Sequence, residues 1–185
     1  MVRRGRRVKF TLTYRGELKS GGSSKERQRV RNSLSGQHER LWNNEAFQLG
    51  TSQLAGCEVR TFHDRQFIPL VTRGSGLRVS LDVLLLQQTK GNSPLSDHGD
   101  IDNRLKTLFD GLRVPQHANE AGEPEDYDFD GPVHCLVEDD SLIEKVSMEV
   151  EGWLDPAAGR REVLAVVRVS TRVHRVTYVN MSHLG

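Results

Sequence analysis

Alternating apolar and polar positions predict several strands along this chain. A period of two, typical of a half-buried strand, runs through Val8, Phe10, Leu12 and Tyr14. Residues 77–86 begin with the same alternation and become continuously apolar, so we expect the most buried strand there. Shorter strands are predicted over 67–71, 133–137, 146–151 and 162–170.

A helical period appears in two other places. Apolar residues at i, i+4, i+7, i+8 and i+11 predict an amphipathic helix, and they are Ile101, Leu105, Leu108, Phe109 and Leu112. Asp102, Lys106 and Asp110 form the polar stripe of that helix. Residues 24–50 are more polar, with a thin apolar stripe, and indicate one or two helices interrupted near Gly36.

This mixture of strands and helices predicts an α+β fold, a mixed β-sheet flanked by helices, in one domain over residues 1–185. A basic N-terminal helical region over 24–50 is one distinctive part. The other is the Pro-, Gly- and acid-rich segment 114–132, which we interpret as an acidic loop insertion at the surface. Its acidic residues lack the spacing of a calcium-binding loop.

Charge is unevenly distributed along the chain, although the net charge is only +1. Residues 1–40 carry 12 Lys and Arg against 3 Asp and Glu, whereas residues 111–185 carry 7 against 14. The basic front is either a surface for a polyanion such as nucleic acid or a solubilising leader. The candidate nucleic-acid-binding residues are Arg3, Arg4, Arg6, Arg7, Lys25, Arg27, Arg29 and Arg31.

Other features narrow the class of protein. No apolar run reaches the length of a membrane span, and the N-terminus lacks the apolar region of a secretory signal. The two cysteines, Cys57 and Cys135, show no disulfide or zinc spacing. We therefore expect a soluble cytoplasmic protein with no membrane partner, in which Cys135 is a small buried residue and His134 a strand residue.

Candidate chemistry begins at Asp100 and Asp102, ahead of the predicted amphipathic helix. In an extended segment both carboxylates point to one side. Lys106 lies one helical turn after Asp102, at about 5–6 Å between Cβ atoms, where it can stabilise charge on a phosphate. The same residues could instead cap the helix and form an ordinary surface ion pair.

A second acidic group, Asp139 and Asp140, follows the strand predicted over 133–137. We expect the two groups to meet in space. Clustered carboxylates repel one another unless a cation lies between them, and magnesium prefers a few carboxylate oxygens together with substrate phosphate.

The order of these motifs resembles the RusA-like Holliday junction resolvases, small bacterial and phage endodeoxyribonucleases. The resemblance rests on residues 100–103 with Lys106, on residues 108–112, and on residues 138–143. It implies that Asp100, Asp102 and Asp140 are metal-binding carboxylates with Asp139 adjacent. Lys106 and Asp102 are then the expected catalytic residues. It also implies a Mg²⁺-dependent homodimer that cuts branched DNA, and we expect Mn²⁺ to substitute for Mg²⁺.

Two other classes of function remain open. The first is a noncatalytic protein that binds nucleic acid or a partner and retains the RusA-like fold. The second is a structural or regulatory protein of a phage or defence locus that binds a partner through the acidic segment.

Overall fold

The computed structural model describes residues 8–19, 21–43, 59–88 and 101–176. Its strands are β1 (Lys9–Glu17), β2 (Arg60–Phe62), β3 (Arg65–Val71), β4 (Leu77–Gln87), β5 (Val133–Val137), β6 (Ile143–Gly152) and β7 (Glu162–Val173). Its helices are α1 (Ser24–Trp42), α2 (Ile101–Leu112) and the single-turn α3 (Ala118–Ala121). These elements confirm the predicted α+β fold.

The larger sheet has four strands in the order β1-β7-β4-β6. Strand β7 is antiparallel to both β1 and β4, whereas β4 and β6 are parallel. Alternate residues of β4 are buried, as the sequence pattern predicts, and Val79, Leu81, Val83 and Leu85 belong to the main core. The intervening side chains point to the opposite, more exposed face of the sheet.

The smaller sheet has three strands in the order β2-β3-β5, and β3 and β5 are parallel. All five residues of β5 are buried. His134 is therefore a buried strand residue and Cys135 a buried free cysteine, as predicted.

Helix α1 packs against α2, β5 and β1. It is continuous through the exposed Gly36, so the predicted interruption there is wrong. Its start is stabilised by a capping box, in which the Ser23 amide donates to Glu26 Oε2 at 2.8 Å. Residues 44–50 of the predicted helical region lie outside the described residues.

The acidic segment 114–132 is largely exposed, and it contains short elements that the prediction of a surface loop did not include. It contains α3 and a 3₁₀ turn over Pro124–Asp126, and its Tyr127 joins a second apolar cluster with Phe67 of β3. The Arg65 guanidinium lies 4.3 Å from the centre of the Tyr127 ring. Apolar and aromatic residues among the carboxylates supply enough buried surface to order the segment.

The outer edge of β1 is covered at its centre by a side chain of α1. Gln37 Oε1 accepts the backbone N–H of Thr13 at 3.0 Å, and Gln37 Nε2 donates to the Thr13 carbonyl at 2.8 Å. One side chain thus satisfies both outward backbone groups of Thr13, as a neighbouring strand would. No helix of the described residues is long and apolar enough to cross a membrane.

Candidate functional site

The first acidic group lies at the start of α2. Asp102 is in the first turn, where a carboxylate interacts favourably with the positive end of the helix dipole. Asp102 and Lys106 are both exposed, while Leu108 and Leu112 bury the other side of the helix. The helix therefore presents a carboxylate and an ammonium group to solvent one turn apart. Asp100 lies outside the described residues.

Hydrogen bonds fix the start of α2 beside the end of β4. The buried Arg104 donates from Nη1 to Gln87 Oε1 at 2.7 Å and from Nε to the Leu18 carbonyl at 3.1 Å. The Thr107 hydroxyl donates to the Lys19 carbonyl at 3.1 Å. Because Gln87 is the last residue of β4, the start of α2 lies at the carboxyl end of that strand.

The second acidic group lies in the turn between β5 and β6. Glu138 is 4 % exposed, and its carboxylate accepts the Arg73 amide at 2.8 Å, so it holds the turn in place. Asp139 Oδ1 accepts the Ser141 amide at 3.0 Å and lies 3.6 Å from Arg73 Nη2. Hydrogen bonds from Ser141 and the charge of Arg73 hold the pKa of Asp139 below its usual value. Asp140 is exposed at the start of a 3₁₀ turn.

Within one chain the structure does not bring Asp102 close to the second acidic group. The turn that contains Asp140 leads into β6, whose first residue pairs with Val79 near the start of β4. Asp102 lies near Gln87 at the other end, and β4 from Val79 to Gln87 is about 26 Å long at about 3.3 Å per residue. In the described ranges, no three His, Cys, Asp or Glu residues lie close enough together to hold a metal.

The basic residues of α1 divide between the surface and the interior. Lys25 and Arg29 are exposed, and Arg27 is partly buried, with its Nε 3.4 Å from Asp110 Oδ2. Arg31 is 1 % exposed and was wrongly predicted as a surface nucleic-acid-binding residue. The candidates Arg3, Arg4, Arg6 and Arg7 lie outside the described residues.

Arg31 connects α1, α2 and the acidic segment. It donates to the Asp110 carbonyl at 2.7 Å, to Gln28 Oε1 at 2.7 Å and to the Glu120 carbonyl at 3.2 Å. Burial lowers the pKa of Arg31 from its usual value. The guanidinium therefore has an internal role, because its donors satisfy backbone and side-chain acceptors of three elements.

Sequence reasoning missed the cations on the exposed face of the larger sheet, where Lys9, Lys145 and Arg168 border a shallow depression of about 490 Å³. These residues are far apart in sequence. Only the strand order and register place them on one face, so no local motif could have grouped them.

Comparisons of the chain with protein-family models, curated proteins and solved structures found no match.

Proposed function

We propose that this chain is a magnesium-dependent endodeoxyribonuclease of RusA-like type that hydrolyses phosphodiester bonds in branched DNA such as Holliday junctions. The observation that carries the proposal is the exposed pair Asp102 and Lys106 at the start of α2. A turn with the partly exposed Asp139 and the exposed Asp140 follows β5, in the order that the resemblance requires. We place the activity in the cytoplasm.

Asp100, Asp102, Asp139 and Asp140 are the proposed magnesium ligands. Carboxylates suit this ion, which binds oxygen ligands and retains several waters. When bound, magnesium would activate a water molecule and neutralise the phosphate. Lys106 would place its ammonium group beside the phosphate and stabilise the negative charge that develops there.

A homodimer is part of this proposal, and the length of β4 supports it. Asp102 and Asp140 lie at opposite ends of that strand within one chain. Asp102 and Asp140 can bind the same metal ion only when Asp140 comes from another copy of the chain. We therefore propose that each metal site combines Asp102 of one copy with Asp140 of a second copy.

The test is cleavage of a labelled four-way DNA junction by the purified protein with Mg²⁺ or Mn²⁺. We expect Asp102→Asn and Lys106→Met each to lower the cleavage rate by at least about 100-fold, the usual effect of removing a group that stabilises the transition state. Asp128→Asn is the matched control, because it removes an exposed carboxylate of the acidic segment. It should leave the rate within about twofold of the unmodified protein.

An uncut junction, flap and single strand in both metals would overturn the enzyme proposal. Wild-type rates in Asp102→Asn would overturn the site assignment. To test the dimer, Asp102→Asn and Asp140→Asn proteins would be mixed, since a mixed dimer retains one site with all its carboxylates. Recovery of cleavage in the mixture is expected, and its absence contradicts a site shared between copies.

The second candidate is a noncatalytic nucleic-acid-binding protein with the same fold. The separation of Asp102 and Asp140 within one chain favours it. Calorimetric titration with Mn²⁺ distinguishes the two functions, since the nuclease should bind the ion and lose that binding in Asp102→Asn.

A further inference from the structure

The larger sheet presents a mostly polar face on the side opposite its core. Strand register places side chains from all four strands in rows across this face. One row consists of Lys9, Ser170, Ser80 and Lys145. The next row consists of Thr11, Arg168, Asp82 and Ser147. Every one of these eight residues is exposed or partly exposed.

Positive charge is concentrated at the end of this face where β4 begins. The cations there are Lys9, Arg78, Lys145, Arg168 and Arg172. They outnumber two carboxylates, Asp82 and Glu144, and give a net charge of +3. Further along β4 the character changes, because Leu84 and Leu86 lie beside Glu149 and Glu151 of β6. We call the cationic end, defined by these five cations, the basic half-face.

Two of its arginines are held in position by the two carboxylates. Arg168 Nη1 lies 3.5 Å from Asp82 Oδ2, and Asp82 Oδ1 accepts the Ser147 hydroxyl at 3.2 Å. Arg172 meets Glu144 through two contacts, at 2.5 and 2.6 Å. Arginines held in this way lose less side-chain freedom when they bind a phosphate.

The two lysines mark the width of the basic half-face. Lys9 is on β1 and Lys145 on β6, the two outer strands, and no described carboxylate forms an ion pair with either. Three strand spacings of about 4.8 Å put them about 14 Å apart. That distance corresponds to about four phosphates of one DNA strand at about 3.4 Å of helix axis each. A single small anion cannot span it.

Hydroxyl groups lie between the cations. Thr11, Ser80, Ser147 and Ser170 line the depression of about 490 Å³ together with Lys9, Lys145 and Arg168. Phosphate oxygens in DNA accept hydrogen bonds from lysine, arginine and hydroxyl side chains alike. The Ser147 and Ser80 hydroxyls donate to Asp82 and Glu144, at 3.2 and 3.3 Å. The depression therefore combines positive charge with the hydroxyl donors of Thr11 and Ser170, which suit a chain of phosphates.

We propose that the basic half-face is a binding surface for the phosphodiester backbone of DNA. Residues 140–142 contact β4, whose first strand positions belong to this surface, so bound DNA passes close to Asp140. This inference extends the proposed function, because a nuclease needs a surface that contacts the DNA backbone. Binding itself requires neither metal nor cleavage, so the two proposals can fail separately.

The experiment measures binding of the full chain to a fluorescently labelled 20-base-pair DNA duplex in EDTA, from about 50 to 200 mM salt. A double variant, Lys9→Gln with Lys145→Gln, removes two charges of the half-face. We expect its affinity at about 0.1 M salt to fall at least about tenfold. The slope of log affinity against log salt should decrease in magnitude by about 2, since each lost phosphate contact removes about 0.9.

The matched control is Arg160→Gln with Arg161→Gln, which removes two exposed cations just before β7 and leaves the same net charge. These residues lie near the end of β4, away from the half-face, because Val163 of β7 pairs with Gln87. The affinity of the control should stay within about threefold of the unmodified protein. The proposal is overturned if the unmodified chain does not bind the duplex, or if the control variant loses more affinity than the half-face variant.

Thermal unfolding of each variant confirms that it is folded. If the half-face double variant does not fold, the single variants Lys9→Gln and Lys145→Gln are each compared with Arg161→Gln. The same criteria apply, with about half the change in slope. If the unmodified protein binds DNA but leaves the junction uncut, the nuclease proposal is overturned and the proposal of DNA binding by the half-face is supported. If the half-face variant cleaves the junction as fast as the unmodified protein, the nuclease proposal stands and the proposal of DNA binding by the half-face is overturned.

Discussion

Helix α1 and the basic half-face both contain arginines, but they use them differently. Arg31 of α1 is buried and donates to three acceptors, one on α1 itself and one each on α2 and α3. Arg168 and Arg172 of the half-face are on β7, and their side chains are 66% and 53% exposed. Their partners are neighbouring carboxylates. The basic composition of a segment thus does not establish that its charge reaches solvent.

The difference arises from how often side chains face the solvent along a helix and along a strand. A helix in contact with a core buries about one side, so a run of arginines at every second position must place some of them inward. A strand at an open sheet face directs every second residue to solvent, and register adds residues from three other strands. The following predictions test this comparison.

The largest effect is expected from Arg31→Met. Loss of the guanidinium leaves the buried Asp110 carbonyl without its donor, which costs about 1–3 kcal/mol. The Glu120 carbonyl loses one of its two donors and keeps Gln28 Nε2 at 2.9 Å. We expect the free energy of unfolding to fall by about 3 kcal/mol in urea titrations. Arg29→Met, the same change at an exposed position two residues earlier, should cost less than about 0.5 kcal/mol. Equal losses in the two variants would contradict the inward role of Arg31.

A smaller effect is expected when the pH is lowered, because a histidine lies on the buried side of α1. His38 is buried with its Nδ1 3.1 Å from the His134 carbonyl, and burial lowers its pKa from about 6.5 to about 4. Because this pKa is lower in the folded state, the unfolded chain takes up the proton first. Stability is therefore complete above about pH 6.5 and is lost as the pH falls towards about 4.

Between pH 7.5 and pH 5 this single histidine should lower the free energy of unfolding by about 2 kcal/mol. In His38→Asn, which retains a donor near the position of Nδ1, that part of the pH dependence should disappear. Urea titrations of both proteins across this range provide the measurement. Burial also lowers the pKa of His134, whose contribution remains in both proteins and cancels in the difference. Parallel pH profiles would contradict the assignment to His38.

The smallest effect is expected from Asp82→Asn on the half-face. The side chains of Asp82 and Arg168 are 51% and 66% exposed, so their ion pair is screened by water. The free energy of unfolding should change by less than about 1 kcal/mol, a shift of about 2–4 °C at most in Tm. A loss above about 2 kcal/mol would show that the half-face charges are structural like that of Arg31, and would remove the contrast between the two regions.

Much of the fold could be predicted because its signals are local. The alternation through Leu12 and Tyr14 and the helical spacing of Leu108 and Leu112 each lie within one element, and all four residues are buried in the main core. The short elements and buried aromatic ring of the acidic segment were not predicted because its carboxylates outnumber its apolar residues. Tyr127 and Phe129 were the available signal, since aromatic residues are costly to leave exposed.

The candidate site was less predictable because it depends on where elements end. Asp102 and Lys106 share an exposed helical surface as their spacing predicts. Nothing in the spacing of Asp102 and Asp140 reveals that α2 starts at one end of β4 and the acidic turn lies at the other. The parallel pairing of β4 and β6 sets that separation, and parallel pairing joins residues distant in sequence.

The contact between Gln37 and Thr13 has a consequence for how the protein can aggregate or assemble. A strand that tried to extend the larger sheet at β1 would first have to displace Gln37 from both backbone groups of Thr13. Among the described residues, none makes an equivalent contact along the outer edge of β6. In the larger sheet, strand addition is therefore easier at β6 than at β1. Two copies joined through β6 would leave their β1 edges outermost, each covered at Thr13, so further growth of that sheet is disfavoured.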